Sequence, residues 1–69
     1  MTIKRRVLLR NFETGDFFKT ATIWTKEQGE ALDFGAAIVA VAVARELHLE
    51  NMEVVHISED GTEFLRTAA

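Results

Sequence analysis

Apolar and polar positions alternate from Ile3 to Phe12, with Val7 and Leu9 on one side and Lys4, Arg6, Leu8, Arg10 and Phe12 on the other. That period of two predicts a β-strand. Glu13-Thr14-Gly15 reads as a turn, because Gly15 can take the left-handed conformation that closes a short hairpin loop. Phe17 to Thr25, rich in aromatic and β-branched residues, is then the returning strand. A three-residue loop sets Asn11 opposite Phe17, Leu9 opposite Lys19 and Val7 opposite Ala21 on a core face. The other face then pairs Arg10 with Phe18, Leu8 with Thr20, Arg6 with Thr22 and Lys4 with Trp24. A two-residue loop exchanges these partners.

Thr25 and Gln28 stand at capping-box spacing, but Gly29 weakens the first turn of any helix begun there, so a short turn is expected. Ile38 to Ala44 alternates valine or isoleucine with alanine and taken alone suggests a strand. The longer stretch from Ala31 to Leu49 decides otherwise, since it lacks a turn signal and exceeds the length of an ordinary strand. A helix is predicted from Asp33, its N-cap, to His48 near its negative C-terminal end. Its apolar residues form two stripes, one through Leu32, Ala36, Val39, Val43 and Leu47, the other through Phe34, Ile38 and Val41.

Met52 to Ser58 is a third strand, and Asp60-Gly61 a two-residue turn that sets Ile57 opposite Phe64, His56 opposite Leu65 and Val55 opposite Arg66. The fourth strand ends near Thr67. The result is one α+β domain over residues 1–69, β-β-α-β-β, a four-stranded antiparallel sheet with one helix packed on one face. A right-handed crossover gives the spatial order 2-1-3-4.

Composition narrows the class without naming a function. With 69 residues, 48% hydrophobic and no cysteine, the chain has neither a disulfide nor a thiolate metal site to reinforce a small core. Good packing or self-association must replace them. The net charge of −3 argues against wholesale polyanion binding, although Lys4, Arg5, Arg6 and Arg10 gather near the start. Val7-Leu8-Leu9 is too short for the apolar part of an export signal, and Phe34 to Ala44 is too short to span a bilayer. A cytoplasmic protein without a membrane segment is expected.

Catalytic motifs are missing. There is no cysteine, no tyrosine and no Gly-x-Ser-x-Gly elbow, and Ser58 shares a strand face with His56 without an evident orienting acid. Gly29 and Gly35 fit no phosphate-binding loop, and His48 and His56 fit no metal spacing, so the chain is read as non-enzymatic, with no metal and no cofactor. Two surfaces remain as candidates. An open sheet face would gather Lys4, Arg6, Arg10, Phe18, Trp24 and His56, and such cation-plus-aromatic sheets can stack bases and hold phosphates. Leu8, Val54 and Leu65, or the stripe of Phe34, Ile38 and Val41, would instead supply an apolar contact between two copies.

The run from Trp24-Thr25 through Ala31-Leu32-Asp33-Phe34, the Ala-rich helix ending Ala44-Arg45-Glu46-Leu47, and the strand Glu53-Val54-Val55 resemble short stand-alone bacterial proteins of unassigned function. The resemblance implies a strand-to-helix packing and carries no activity with it. The expected function is a small interaction or regulatory module acting as a homodimer with an unknown protein partner. RNA or single-stranded DNA binding through the open face is the alternative.

Overall fold

The structure, a computed structural model, describes residues 5–69. Alternation from Arg6 onward produces β1 (Arg6–Asn11), the middle strand of an antiparallel sheet ordered β3-β2-β1-β4-β5. The others are β2 (Phe17–Phe18), β3 (Trp24–Thr25), β4 (Met52–Ile57) and β5 (Glu63–Ala68), with one α-helix among the described residues, α1 (Ala37–Glu46), before β4. The α+β class, the single helix and the neighbour order agree with expectation, but the sheet has five strands rather than four.

The extra strand arises because Phe17 to Thr25 folds back on itself. The Thr20 hydroxyl accepts from the N–H groups of Thr22 and Ile23 at 3.3 and 3.0 Å, and the Ile23 carbonyl accepts from Lys19 and Thr20. A threonine side chain thus makes a turn without glycine or proline. Phe18 pairs with Trp24, and their rings meet edge to face at 5.4 Å.

The first loop is also one residue longer than expected. Asn11 closes it through bonds to Asp16 and Gly15, its side chain accepts from Glu13 and Thr14, and Gly15 has φ +82°. Arg10 therefore lies opposite Phe17, not Phe18. A one-residue shift sends each aromatic ring to the other face. Phe18 joins Val7, Leu9, Met52 and Val54 under the helix, while Phe17 joins Leu8, Val55 and Ile57 on the opposite side.

Because β2 stops at Phe18, the N-terminal half of β1 lacks a strand neighbour there. The chain itself fills the gap. Leu32 donates to the Phe18 carbonyl at 3.0 Å and Phe34 to the Val7 carbonyl at 2.8 Å, while the Val7 N–H donates to Asp33 Oδ1 at 3.0 Å. Asp33, expected as a helix N-cap, instead substitutes for a backbone carbonyl and also accepts from Gly35 N–H. Gly35, at φ +79°, keeps the backbone out of the helical region, so α1 starts at Ala37 behind Ala36, which caps nothing with its side chain.

The sheet face expected to be open is covered. After β3 the chain runs across it as a short 3-10 turn (Gln28–Glu30), and Ala31 packs on the buried cluster of Leu8, Phe17, Val55 and Ile57. Arg6 anchors that crossing by donating to the Gln28 carbonyl and side-chain oxygen at 3.0 and 3.3 Å. Then the chain passes the β1 edge at Asp33 and lays α1 on the other face.

The inner stripe of α1 also differs from expectation. Ala40 and Ala44 are buried against the sheet, flanked by Ala37, Val41 and the expected Val43, whereas Val39, Leu32 and Leu47 are exposed. The sheet already carries the bulk in Leu9, Phe18, Met52 and Val54, so alanines fit the space left above them. The helix ends at Glu46, not His48, in a Schellman motif: Leu49 N–H donates to the Ala44 carbonyl at 2.9 Å and His48 N–H to that of Arg45 at 3.1 Å. His48 takes φ +53° where glycine is usual.

The second hairpin turns over three residues, Glu59 to Gly61, not two. Ser58 donates to the Thr62 carbonyl and Gly61 has φ +89°. A bulge between His56 and Ile57 on the pairing ladder restores the expected partners, His56 with Leu65 and Val55 with Arg66, whereas Ile57 meets Glu63.

Urea unfolding should register two of these features. Asp33→Ala, which leaves the Val7 N–H without its acceptor, should cost about 2 kcal/mol, and Asp33→Asn should recover part of that. His48→Gly should stabilise by about 1 kcal/mol by relieving the left-handed backbone.

Candidate functional site

The cation-plus-aromatic surface does not assemble. Lys4 lies outside the described residues. Arg6 is held by Gln28, Phe18 and Trp24 belong to the core beneath the helix, and His56 projects to that same side of the sheet, opposite Leu65. Arg10 stays on the other face, where it packs over the Phe17 ring at 5.6 Å. Its Nε donates to Glu53 at 2.7 Å and its terminal nitrogens make a forked pair with Glu63 at 2.9 and 3.0 Å. With a side chain only 16% exposed and its donors taken by carboxylates, Arg10 has no free edge for a phosphate.

These contacts shift protonation in a consistent direction. The Glu63 carboxylate raises the Arg10 pKa, and Arg10 holds Glu63 below the usual carboxylate value. The Ser58 hydroxyl, seconded by Thr62, pulls Asp60 down to about 2. Ser58 thereby serves the turn: its hydroxyl lies within hydrogen-bond reach of the Asp60 carboxylate and of the Thr62 carbonyl at 3.1 Å. Among the described residues, no group of three or more His, Cys, Asp or Glu side chains is placed to hold a metal ion, and no helix is long and apolar enough to cross a membrane.

The proposed apolar contacts separate into two sets. Leu8 and Val54 are fully buried, Phe34 packs on the Phe18 ring at 5.6 Å, and Val41 leans on the core, so all four serve the monomer's interior. Ile38 and Leu65 remain outside, 79% and 49% exposed. The structure adds residues that the two-stripe pattern places elsewhere or omits: Val39, 44% exposed, Ala42 on the outer side of α1, and Phe64, 48% exposed at the β5 bulge.

Their arrangement comes from helix geometry. Ala42 points almost directly away from the sheet, with Ile38 one turn before it and Glu46 one turn after. At the C-terminal end of α1, Arg45 borders the same shallow depression as Ala69, which comes just after β5, whereas Ile38 shares a separate apolar depression with Val39, Ala42, Val43 and Glu46. On that outer strand, Phe64 stacks near His56 at 5.9 Å and under Arg5 at 5.3 Å. The ten residues of α1 read Ala-Ile-Val-Ala-Val-Ala-Val-Ala-Arg-Glu, apolar on every side until its last turn. A helix with that composition belongs in an interior.

Comparisons with protein families, with curated proteins and with solved structures found no match to this chain. The surface chemistry therefore carries the functional reading.

Acid stability should report the carboxylate contacts. Because folding lowers the Glu63 and Asp60 values, their contribution is complete above the ordinary 4.5 and 3.8 and is lost as pH falls through the folded values, about 2 for Asp60. Urea midpoints measured from neutral pH downward should begin to fall below pH 4.5, and Glu63→Gln should flatten the first part of that decline. At neutral pH, Arg10→Met should cost about 2 kcal/mol by leaving two acids unpaired.

Proposed function

We propose that this chain is a small non-enzymatic interaction module of the cytoplasm that works as a homodimer, with the outer face of α1 as the contact. One observation carries the reading: the helix buries alanines and presents Ile38, Val39 and Ala42 to solvent. A helix whose outside were meant for water would carry polar groups there, and here only Arg45 and Glu46 do. Leu65 and Phe64 on β5 add further exposed apolar side chains.

The energetics favour covering it. Burial is worth roughly 25 cal/mol per Å², so about 400 Å² of apolar surface per subunit yields on the order of 10 kcal/mol before the costs of association. That is comparable with the entire stability of a small domain. Nucleic-acid binding is the weaker reading, because Arg6 and Arg10 are engaged within the fold and Phe18 and Trp24 are committed to the core.

Sedimentation and light scattering should find twice the monomer mass at concentrations of a few hundred micromolar. The dimer should persist when salt is raised, because apolar contact is not screened. A particle of monomer mass at about 1 mM overturns the reading, as does complex formation with a single-stranded oligonucleotide that disappears steeply with added salt.

A further inference from the structure

The outer face of α1 specifies how a second copy sits on it, an inference that rests on the homodimer reading. Large and small side chains alternate there in a self-complementary way. Ala42 lies at the centre, with Ile38 and Val39 toward the helix start and Glu46 toward its end. A small residue at the crossing point lets two helices approach closely, and the branched side chains on either side then fill the grooves of the facing helix.

The two ends of α1 supply the orientation. At its start, Ala36 provides no side-chain cap, and among the described residues the N–H groups of Ala37 and Ile38 find no backbone or side-chain acceptor. Unpaired N–H groups and the helix dipole make that end positive. At its other end Glu46 is exposed, and among the described residues it has no ion-pair partner. One end of the helix therefore needs a negative acceptor, and the other carries one.

We propose that α1 packs antiparallel on α1 of a second copy about a two-fold axis through Ala42. In that register Ile38 lies opposite the partner's Glu46 and Val39 opposite the partner's Arg45. Each Glu46 carboxylate reaches the uncapped start of the facing helix, and its methylene stem covers the Ile38 side chain. A parallel arrangement would put the two positive starts together and leave both acids without a donor. Another protein would need to reproduce this spacing of small, branched and acidic positions, whereas a second copy has it by identity.

A ten-residue helix is about 15 Å long and covers only part of the roughly 800 Å² per partner that stable dimers bury. A contact of that size suits a weak dimer, one that forms only at concentrations as high as those of the sedimentation experiment.

The absence of cysteine makes the axis directly testable. Ala42→Cys introduces a single thiol that meets its own copy, and a disulfide requires Cα atoms within about 7 Å. Mild oxidation should convert most of the full-length protein to a linked dimer, while Glu13→Cys, in the loop after β1, should remain largely unlinked. Glu46→Lys, which brings a positive charge to the positive helix start, should weaken the dimer about tenfold over the two equivalent contacts. Ile38→Asp should give a folded monomer, with circular dichroism unchanged.

The outcomes separate the two levels of inference. If the wild type sediments as a dimer but Ala42→Cys does not link and Ile38→Asp leaves the dimer intact, this geometry is wrong and the homodimer reading stands. If Ala42→Cys links while Glu46→Lys has no effect, the axis holds and the role given to Glu46 fails. A wild type that stays monomeric removes both.

Discussion

The structure depends on how the N-terminal half of β1 is paired. With β2 only two residues long, Val7 would present an unsatisfied N–H and carbonyl beside the core. Asp33 and Phe34 satisfy them, one with a carboxylate oxygen and the other with its own N–H. That single patch lets the chain cross from one side of the sheet to the other. Before it, the 3-10 turn and Ala31 shield one face. After it, α1 shields the other. Both faces are thus covered with one helix, which is how a chain of 69 residues assembles two apolar clusters.

The same crossing determines which surfaces remain for contact. By closing the face that holds Leu8 and Val55, it leaves the apolar exterior to the outside of α1, the bulged strand β5 and single loop residues such as Phe12 and Ile23. Arg10, clamped between Glu53 and Glu63, seals part of the covered face with charge, consistent with a surface that meets water. The polar and apolar sides of the molecule are therefore consequences of one routing decision in the chain.

Much of the fold is legible in the amino-acid order because its signals are local. The alternation in β1 and β4, the position of the second hairpin's turn, though not its length, and the helix around Ala37–Glu46 need only their own residues. The features hidden from the sequence depend on distant partners. Thr20-Ala21-Thr22 contains none of the usual turn residues, and its reversal is visible only through the Thr20 hydroxyl bonds. Asp33 looks like a helix cap until Val7, 26 positions earlier, claims it. The inner face of α1 is misjudged from pattern because hydrophobicity scales rank valine above alanine, whereas the space over Leu9 and Val54 is set by volume. Of the candidate contact residues, Ile38 and Leu65 are recognisable by pattern alone. Val39 and Ala42 emerge only once the helix is rotated into place.

The alanine lining of α1 also reverses the ordinary rule for tolerance to sequence drift. In most helices the buried stripe accepts exchange among aliphatic residues while the outer surface varies freely among polar ones. Here Ala40 is wholly enclosed, so an added methyl or two has nowhere to go and would lever the helix away from the strands. Lineages that keep this architecture must keep tiny side chains at the inner positions, whereas the branched residues outside can be exchanged without touching the scaffold, leaving that surface open to revision as binding demands change.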